Sequence, residues 1–412
     1  MTPSGWLKST LGDHLIEIRG GGTPDKGNSE YWGGEIPWAT VKDLKAPVLH
    51  DTEDYITEEG LGGSSSKLIP ANTVIVATRM AVGRTVRFTC DTAINQDLKA
   101  LFPKPTLDTD FLFHWLVAQG PRLESAATGS TVKGIRLETL KDLDLPLPPI
   151  PEQRKIAAIL GSVDDAIQAT QAVIDQTRKV KQGVLQKLLT RGIGHTRFKQ
   201  TKIGEIPETW TVVPLKTIAE VAYGITVNQA RRASAVRYPY LTVANVKRGK
   251  IDTREVKSIG ASPADLERYS LRKGDILLIE GNGNPDLLGQ SAVWEHEDCL
   301  MLHQNHLIRV RAASESVFAP WLGWFMSGES ATSQIRSQAK TSSGLHTINS
   351  RVVSDVLVAL PPFEEQERVA AILAVLDEKE QAEERSSDRL SLVRLGLLAD
   401  LLSGRKRVEV TT

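Results

Sequence analysis

The chain has 412 residues, 41% of them hydrophobic and 24% charged, which excludes a disordered protein and provides for two or more domains. The 50 basic and 50 acidic residues cancel, so net charge alone does not indicate a nucleic-acid ligand. Two cysteines are too few for a disulfide framework, and the sequence contains neither a signal-peptide pattern nor an apolar run of the roughly 20 residues that span a membrane. We therefore expect a soluble protein of the cytoplasm.

An internal repeat organises the chain. Residues 147–164 (LPPIPEQRKIAAILGSVD) align without a gap with residues 360–377 (LPPFEEQERVAAILAVLD) at a step of 213, and ten of the 18 positions are identical. Farther upstream, CDTAINQDLKAL (90–101) aligns with CLMLHQNHLIRV (299–310). This self-similarity predicts two copies of one unit, each a block of roughly 150 residues followed by a helix.

The first block is predicted to be mixed α/β. Strand-like runs bounded by turn residues dominate it, and a helix-like stretch follows at 110–125 (DFLFHWLVAQGPRLES). The strand-like runs are EIPWATV (35–41), NTVIVAT (72–78), TVRFT (85–89) and DLKALFP (97–103).

A long helix is predicted to follow the first block. Pro151 suits the first helical position, Glu152 suits the positive end of the helix dipole, and Gly192 suits the stop. Between them, residues recur at alternating steps of four and three, which is the seam of a coiled coil. The seam is Ile156, Leu160, Val163, Ile167, Thr170, Ile174, Thr177, Lys181, Val184 and Leu188. A helix of about 40 residues is roughly 60 Å long and must bury such a seam.

The second copy repeats this order. Its block has strand-like runs at 238–243, 274–280, 291–295 and 305–311 and one helix-like stretch at 318–330 (FAPWLGWFMSGES). The seam of its helix is Val369, Leu373, Leu376, Leu390, Val393, Leu397 and Leu401, with Glu380, Glu383 and Ser387 in a polar middle. We expect the two helices to pair antiparallel, with one block at each end of the pair.

These elements define the predicted fold class, α+β. It consists of two mixed α/β domains joined by two long antiparallel coiled-coil helices, in a pseudo-twofold internal repeat. The expected segments are a first domain (1–147), a first helical region (148–192), a linker (193–208), a second domain (209–360), a second helical region (361–404) and a tail (405–412).

Two motifs resemble a known family. The string GGGTPDKGNSEYWGGEIPWATVKDL (20–44) resembles the opening of a target recognition domain of Type I restriction–modification specificity subunits. The pattern LPPxxEQxxxAAIL before a long helix, present twice, resembles their conserved helical regions. The second domain departs from the family pattern, with AYGITVNQARRASAVRYPYLTV (222–243) in place of a GGTP string, so we expect the two domains to read different bases.

The resemblance implies a DNA-binding subunit without a catalytic centre or a cofactor. Each recognition domain would read one half of a split, asymmetric target in double-stranded DNA. The helices would set the gap and bind two methyltransferase subunits, and restriction/translocase subunits would join afterwards. Two alternatives stay open, namely a stand-alone or antirestriction-type DNA-binding scaffold and an enzyme with an unrecognised site.

Catalytic motifs are missing from the sequence. It contains no NPPY or DPPY string for a flipped adenine and no GxxxxGK[ST] phosphate loop. The nearest nuclease-like pair, Asp275 and Glu280, lacks the accompanying lysine and is interpreted as partly buried carboxylates at a strand end. We therefore predict no methyl transfer and no ATP hydrolysis by the isolated chain.

A cluster of ligand-type residues in the second block, at 296–306, has to be weighed as a metal site. His296, Cys299, His303 and His306 are close in sequence, but their spacing fits no standard zinc pattern. The matching stretch of the first copy keeps the cysteine and has no histidine. We interpret the cluster as a core strand with His303 or His306 at a DNA-facing edge, and predict no metal.

Candidate DNA contacts lie in polar, glycine-rich loops. Arginine pairs with guanine and asparagine with adenine, whereas small hydroxyls and lysines suit phosphates. For each residue, an ordinary solvated turn is the alternative. The candidates are Thr23, Arg79, Arg84, Ser130, Thr131 and Lys133 in the first domain and Arg231, Arg232, Lys247, Asn282, Asn284, Lys340, Ser343 and His346 in the second.

Candidate partner contacts lie on the helices. A two-stranded seam uses about two positions in seven, so apolar residues outside it need another contact, either a methyltransferase or the blocks themselves. The candidates, which correspond in pairs at the step of 213, are Gln153, Ile159 and Leu185 in the first helix and Gln366, Ile372 and Leu398 in the second.

Overall fold

The computed structural model describes residues 3–129, 133–247, 249–282, 284, 287–342 and 345–409. Contacts divide the chain into two units, Met1–Ala172 with Arg385–Thr412, and Val173–Glu384. Each unit therefore contains one block, the first part of the helix that follows this block, and the last part of the other long helix. Within the described ranges, none of the helices combines the length and apolarity needed to cross a membrane.

The first unit is built around a five-stranded sheet. Its strands are β1 Leu7–Thr10, β2 Leu15–Gly20, β3 Trp32–Ala39, β4 Val48–Leu49, β5 Asp54–Ile56, β6 Lys67–Ile69, β7 Val74–Ala77, β8 Thr85–Phe88, β9 Thr92–Ile94, β10 Leu98–Pro103 and β11 Asp144–Leu147. Its helices are α1 Glu58–Gly62, α2 Thr109–Ser125, α3 Leu137–Lys141 and the start of α4 Ile150–Arg191. The five-stranded sheet has the order β2-β10-β7-β8-β4, and a four-stranded sheet has the order β5-β3-β9-β6.

The second unit repeats this strand order. Its strands are β12 Phe198–Thr201, β13 Gly204–Pro207, β14 Thr211–Pro214, β15 Ala219–Tyr223, β16 Arg237–Leu241, β17 Val246–Lys247, β18 Lys250–Ile251, β19 Lys257–Gly260, β20 Ile276–Ile279, β21 Gly281–Asn282, β22 Ser291–Val293, β23 Leu302–His303, β24 Leu307–Ala312, β25 Lys340–Ser342, β26 Leu345–Thr347 and β27 Leu357–Leu360. Its helices are α5 Gln229–Arg232, α6 Pro263–Tyr269, α7 Ala319–Ser327, α8 Glu329–Ser337, α9 Ser350–Ser354 and the start of α10 Phe363–Leu401. The order β15-β24-β20-β22 corresponds to β2-β10-β7-β8 of the first unit.

The predicted strands of the first block are present as β3, β7, β8 and β10, and the predicted helix is α2. The continuous apolar run of β7 is buried along its whole length, as expected for a strand covered on both faces. Sequence reasoning missed the pairing of β1 with β11, in which Leu7 lies opposite Leu147. The equivalent pair in the second unit is β14 with β27. In both units this pairing brings the N-terminal strand of a block beside the strand that leads into the long helix.

One predicted helix is divided. The stretch 318–330 was expected to be a single helix, but α7 ends at Ser327 and α8 begins at Glu329. Gly328 between them is extended, with ψ 162°, and glycine is a poor residue for a helix interior. A Cβ at this position would lie 2.9 Å from Leu189 of α4, so the break also allows α4 to approach closely.

The long helices pair antiparallel within each unit. In the second unit, Arg178 bonds to Glu380 and Glu384, and Lys181 bonds to Asp377 and Glu380, so rising numbers in α4 meet falling numbers in α10. The polar middle of the second seam is thus filled by ion pairs rather than by apolar contacts.

One seam residue was predicted wrongly. Val393 is 51% exposed, and Arg394 takes the seam position and bonds to Asp164 of α4 in the first unit. The alternation of four and three steps passes from Leu390 to Arg394 and then to Leu397. The predicted seam contained the apolar residue Val393, which places the step of three before the step of four instead of after it.

Candidate nucleic-acid interface

Each unit has a cavity of about 500 Å³, and the two linings overlap at corresponding residues, Asp97 in the first unit and His306 in the second. The correspondence follows from hydrogen bonds at the end of the central strand, where Thr78 N donates to Asp97 O at 2.8 Å and Glu280 N donates to His306 O at 3.1 Å. The first cavity is lined by Thr23, Lys26, Trp32, Trp38, Thr40, Val41, Lys42, Asp54, Met80, Asn95, Gln96 and Asp97. The second is lined by Val243, Glu280, Gly281, His306, Gln338, Lys340, Thr347, Ile348, Asn349 and Val352.

The loop between β7 and β8 forms one edge of the first cavity. Met80 has a φ of 62°, in the left-handed region that costs a non-glycine residue about 1–3 kcal/mol. Its backbone N donates to Lys133 O at 2.9 Å. Gly83, with a φ of 84°, closes the loop, and a Cβ there would lie 2.5 Å from Gly120 O of α2. The loop is therefore held against both α2 and the segment before α3.

Polar side chains line the floor of the first cavity. Thr23 Oγ1 donates to Gln96 Oε1 at 2.8 Å, and Asn95 Nδ2 donates to Asp97 Oδ2 at 3.1 Å. Arg79 Nη1 lies 3.6 Å from Asp97 Oδ1, and its side chain is 51% exposed. Amide and guanidinium groups are the donors that read base edges in the major groove, so this arrangement suits contact with a duplex.

The second cavity has different chemistry at the same place. His306 Nδ1 lies 2.8 Å from Glu280 Oε2. The corresponding residues of the first unit are Asp97, which lines the first cavity, and Thr78, which does not. Lys340 is the cation on its rim, and the carboxylate of Glu280 is an acceptor of the kind that reads the cytosine amino group. The two cavities therefore suit different base pairs.

Two predicted DNA contacts are engaged within their own domain. Arg84 Nη1 donates to Leu44 O at 2.7 Å. Arg231 forms two hydrogen bonds to Asp265, of 2.8 and 3.0 Å, which tie α5 to α6 and raise the pKa of Arg231. Because these guanidinium groups are already hydrogen-bonded within their domain, each remains a weaker candidate than Arg79, whose side chain is 51% exposed and lies 3.6 Å from Asp97 of the cavity lining.

The other predicted contacts are distributed over both domains. Thr23 and Lys340 line the cavities. Exposed side chains are those of Lys133, Arg232, Lys247 and Asn284, whereas His346 is half-buried in β26 and pairs through its backbone with Asn282. Ser130, Thr131 and Ser343 lie outside the described residues. Sequence reasoning missed Met80 and Gln96, because their place beside a cavity depends on loops that are distant in the chain.

The residues considered for metal and nuclease chemistry have structural partners. His303 is fully buried, its Nδ1 lies 3.0 Å from Tyr269 O, and burial lowers its pKa to about 4. Asp275 is 1% exposed and accepts two hydrogen bonds of 2.6 Å from Arg311. Over the described ranges, no group of three or more His, Cys, Asp or Glu residues could hold a metal ion. Of the cluster at 296–306, His303 lies in a core strand and His306 lines the cavity, whereas His296 and Cys299 are exposed.

The two glutamines of the repeated motif anchor each helix to its own block. Gln153 Oε1 accepts from Asp108 N at 2.7 Å, and its Nε2 donates to Thr106 O and Pro148 O at 3.0 and 2.8 Å. Gln366 makes the same three bonds at the corresponding positions of the second unit, each of 2.9 Å. Both side chains are 0% exposed. This burial removes them from any surface that a partner could reach.

Among the predicted apolar contacts on the helices, burial corrects Leu398, whereas Ile159, Leu185 and Ile372 stay predictions. Leu398 is 7% exposed and packs in the core of the first unit, and Ile159 and Leu185 pack partly against the cores of their units. Ile372 is 41% exposed. The apolar side chains of α10 with the largest exposed fractions are those of Val375, Leu392 and Leu395, at 65, 68 and 60%. The repeat does not predict these residues as matched pairs, because the corresponding positions of α4, at the step of 213, are serine, lysine and glutamine.

A sequence model of the family "Type I restriction modification DNA specificity domain" matches residues 3–177 and 207–391. Among curated proteins, the EcoR124I/EcoR124II specificity subunit of Escherichia coli is 36% identical over 38% of this chain and 40% of its own length. The MjaVIII specificity subunit of Methanocaldococcus jannaschii is 27% identical over 74% of this chain and 71% of its own. The EcoKI specificity subunit of E. coli K12 is 22% identical over 98% of this chain and 89% of its own.

Solved structures share the fold over nearly the whole length. The S subunit of a Type-I restriction-modification system from M. genitalium has a TM-score of 0.58 at 18% identity, covering 98% of this chain and 97% of its own. A chain from a structure on complex assembly and conformational transition of the type I R-M system has a TM-score of 0.59 at 16% identity, covering 98% of both chains. At these identities the likeness concerns the fold.

Proposed function

Because this chain belongs to the family of Type I restriction–modification DNA specificity domains, present here in two copies, we propose that it reads a split, asymmetric target in double-stranded DNA. Each domain reads one half-site through the face that carries its cavity. The chain supplies DNA recognition and no catalysis, and the methyltransferase and restriction subunits that it recruits supply the chemistry.

The observation that carries this proposal is the pair of corresponding cavities with different side chains. Asp97, which lies beside Arg79, lines the first cavity, and His306, which is paired with Glu280, lines the second at the corresponding position. A protein that reads a symmetric target would need the same donors and acceptors in both domains, because base pairs are distinguished by their hydrogen-bond pattern. The divergence at corresponding positions therefore supports an asymmetric target.

Exposed lysines and arginines of the two domains are proposed to hold the phosphates. Lys133 and Lys26 serve the first domain, and Lys247 and Arg232 serve the second. Residues 1–146 carry 15 basic and 19 acidic side chains, whereas residues 209–360 carry 17 and 14. Because phosphate contacts provide affinity without sequence information, the second domain is expected to contribute more of the salt-dependent binding.

The exposed apolar residues of α10 are proposed to bind methyltransferase subunits, one copy for each unit. Ile372 and Val375 lie in the second unit, and Leu392 and Leu395 lie in the first. Exposed apolar side chains three residues apart lie on one face of a helix and are suited to a protein partner.

Sequencing of modified adenines tests this function in cells that produce the chain with the methyltransferase of its own operon. A split motif with different bases in its halves, lost when the chain is omitted, is the expected result. Unchanged methylation without the chain would refute the proposal. Co-purification of the chain and the methyltransferase distinguishes a subunit from a stand-alone DNA-binding scaffold.

A further inference from the structure

The backbone of Met80 is held in a left-handed conformation, which is unfavourable for most residues that carry a side chain. In the described part of the chain, the non-glycine residues with positive φ are Asn72 and Met80, and asparagine tolerates this region far better than methionine. The bond from Met80 N to Lys133 O and the bond from Gly83 N to Ala77 O fix the loop on both sides. A left-handed methionine at this position, where glycine would be unstrained, suggests that the side chain is kept for a contact.

The side chain of Met80 is 62% exposed at the rim of the first cavity. The two tryptophans of the same lining are half-buried or buried, so their apolar surface is already covered. The polar groups beside Met80, on Thr23 and Gln96, are joined to each other and can serve base edges. The flexible thioether side chain of Met80, placed among such groups, is suited to contact an apolar group that lies within a polar groove.

We propose that Met80 contacts the 5-methyl group of a thymine in the half-site read by the first domain and so selects thymine at that position. The thymine methyl is the apolar group of the major groove, where it lies beside the acceptors and donors of the base edges. This inference rests on the proposed function, because it assumes that the face with the cavity meets a duplex.

The second domain has no methionine at the corresponding position. Asn282 pairs with His346 in β21 and β26, as Met80 pairs with Lys133, so an asparagine stands where the first domain has methionine. The thymine selectivity due to Met80 is therefore confined to one half of the target, and the other half serves as an internal control.

The test begins with the wild-type full-length chain and a library of duplexes with 30 random base pairs. Selection defines the bound sequence, and each thymine of that sequence is then replaced singly by deoxyuridine, which lacks only the methyl group. One thymine in one half-site should lose about fourfold in affinity, the value of one buried methyl-sized group. In Met80→Gly, which relieves the backbone strain, the same replacement should have no effect.

The matched control is Ile16→Ala, which removes an apolar side chain that is 69% exposed in the same unit and does not line the cavity. It should keep the wild-type response to deoxyuridine. An unchanged response in Met80→Gly, or specific binding by the wild type without a sensitive thymine, would overturn this inference and leave the proposed function standing. Selection of no preferred sequence by the wild type would overturn both.

Discussion

The two units hold the paired helices with the same charged contact. Asp164 bonds to Arg394 in the first unit, and Asp377 bonds to Lys181 in the second. Both the aspartates and the cations correspond at the step of 213. The contact is thus a duplicated feature of the seam, retained although arginine stands in one copy and lysine in the other.

The surroundings of this contact differ between the units. In the first, buried His114 of α2 lies with its Nδ1 3.6 Å from Asp164 Oδ2. In the second, the ring of Trp324 lies 5.4 Å from Lys181 Nζ, and Glu380 gives the lysine a second carboxylate. The duplicated contact between the helices therefore keeps its position in both units, while the residues packed around it have diverged, as they have in the two cavities.

The largest predicted effect concerns the two glutamines that anchor each long helix to its block, and it tests whether both anchors contribute equally to stability. Gln153→Ala and Gln366→Ala should each lower the free energy of unfolding by about 3 kcal/mol, because three backbone groups that are buried or partly buried lose their partner. Chemical denaturation measures the change, and Gln182→Ala on the exposed face of α4 is the control. A small effect in only one unit would show that the anchors are not equivalent.

A smaller and asymmetric effect is expected for the helix contact. Asp164→Asn should cost about 2 kcal/mol, because the half-buried guanidinium of Arg394 loses its carboxylate. Asp377→Asn should cost about half as much, because Lys181 keeps Glu380. Equal losses in denaturation would contradict the role given to Glu380.

The diverged cavities should act separately on DNA. Arg79→Ala and His306→Ala should each reduce selectivity about tenfold at a base pair in one half-site and leave the other half unchanged. Selection from a randomised duplex library measures both halves at once. A change in both halves from one substitution would contradict independent reading.

The smallest effect concerns pH. Burial lowers the pKa of His303 to about 4 and also lowers the pKa of His114, so each folded unit disfavours a charged imidazole. Protonation then favours the unfolded chain, whose histidines titrate near 6.5, and stability falls as the pH drops below that value. Between pH 7.5 and 5.5, His303 should account for about 1 kcal/mol. This loss should be absent in His303→Gln and present in His50→Gln, which alters an exposed imidazole.

Local patterns were sufficient to predict the repeat, the order of domains and helices, and the family. Proline at the start of α4, the steps of four and three, and glycine after its end each act within a few residues, so they can be read without a fold. The same holds for β7, whose apolar run is continuous.

The residues proposed to contact DNA were predicted less completely than the order of domains and helices. Thr23, Arg79 and Lys340 lie in or beside the cavities, but Arg84 and Arg231 bond within their domains, and Met80 and Gln96 were missed. A loop sequence shows which groups could contact DNA. It does not show which of them the rest of the chain already occupies.

Order along the chain is sufficient to predict a duplicated unit with two long helices, because periodicity and repetition are properties of the sequence. Tertiary structure decided that Gln153 and Leu398 are buried, that Arg394 rather than Val393 enters the seam, and that Met80 is exposed in a left-handed turn. Burial and backbone strain depend on residues brought together from distant parts of the chain, and these contacts exist only after folding.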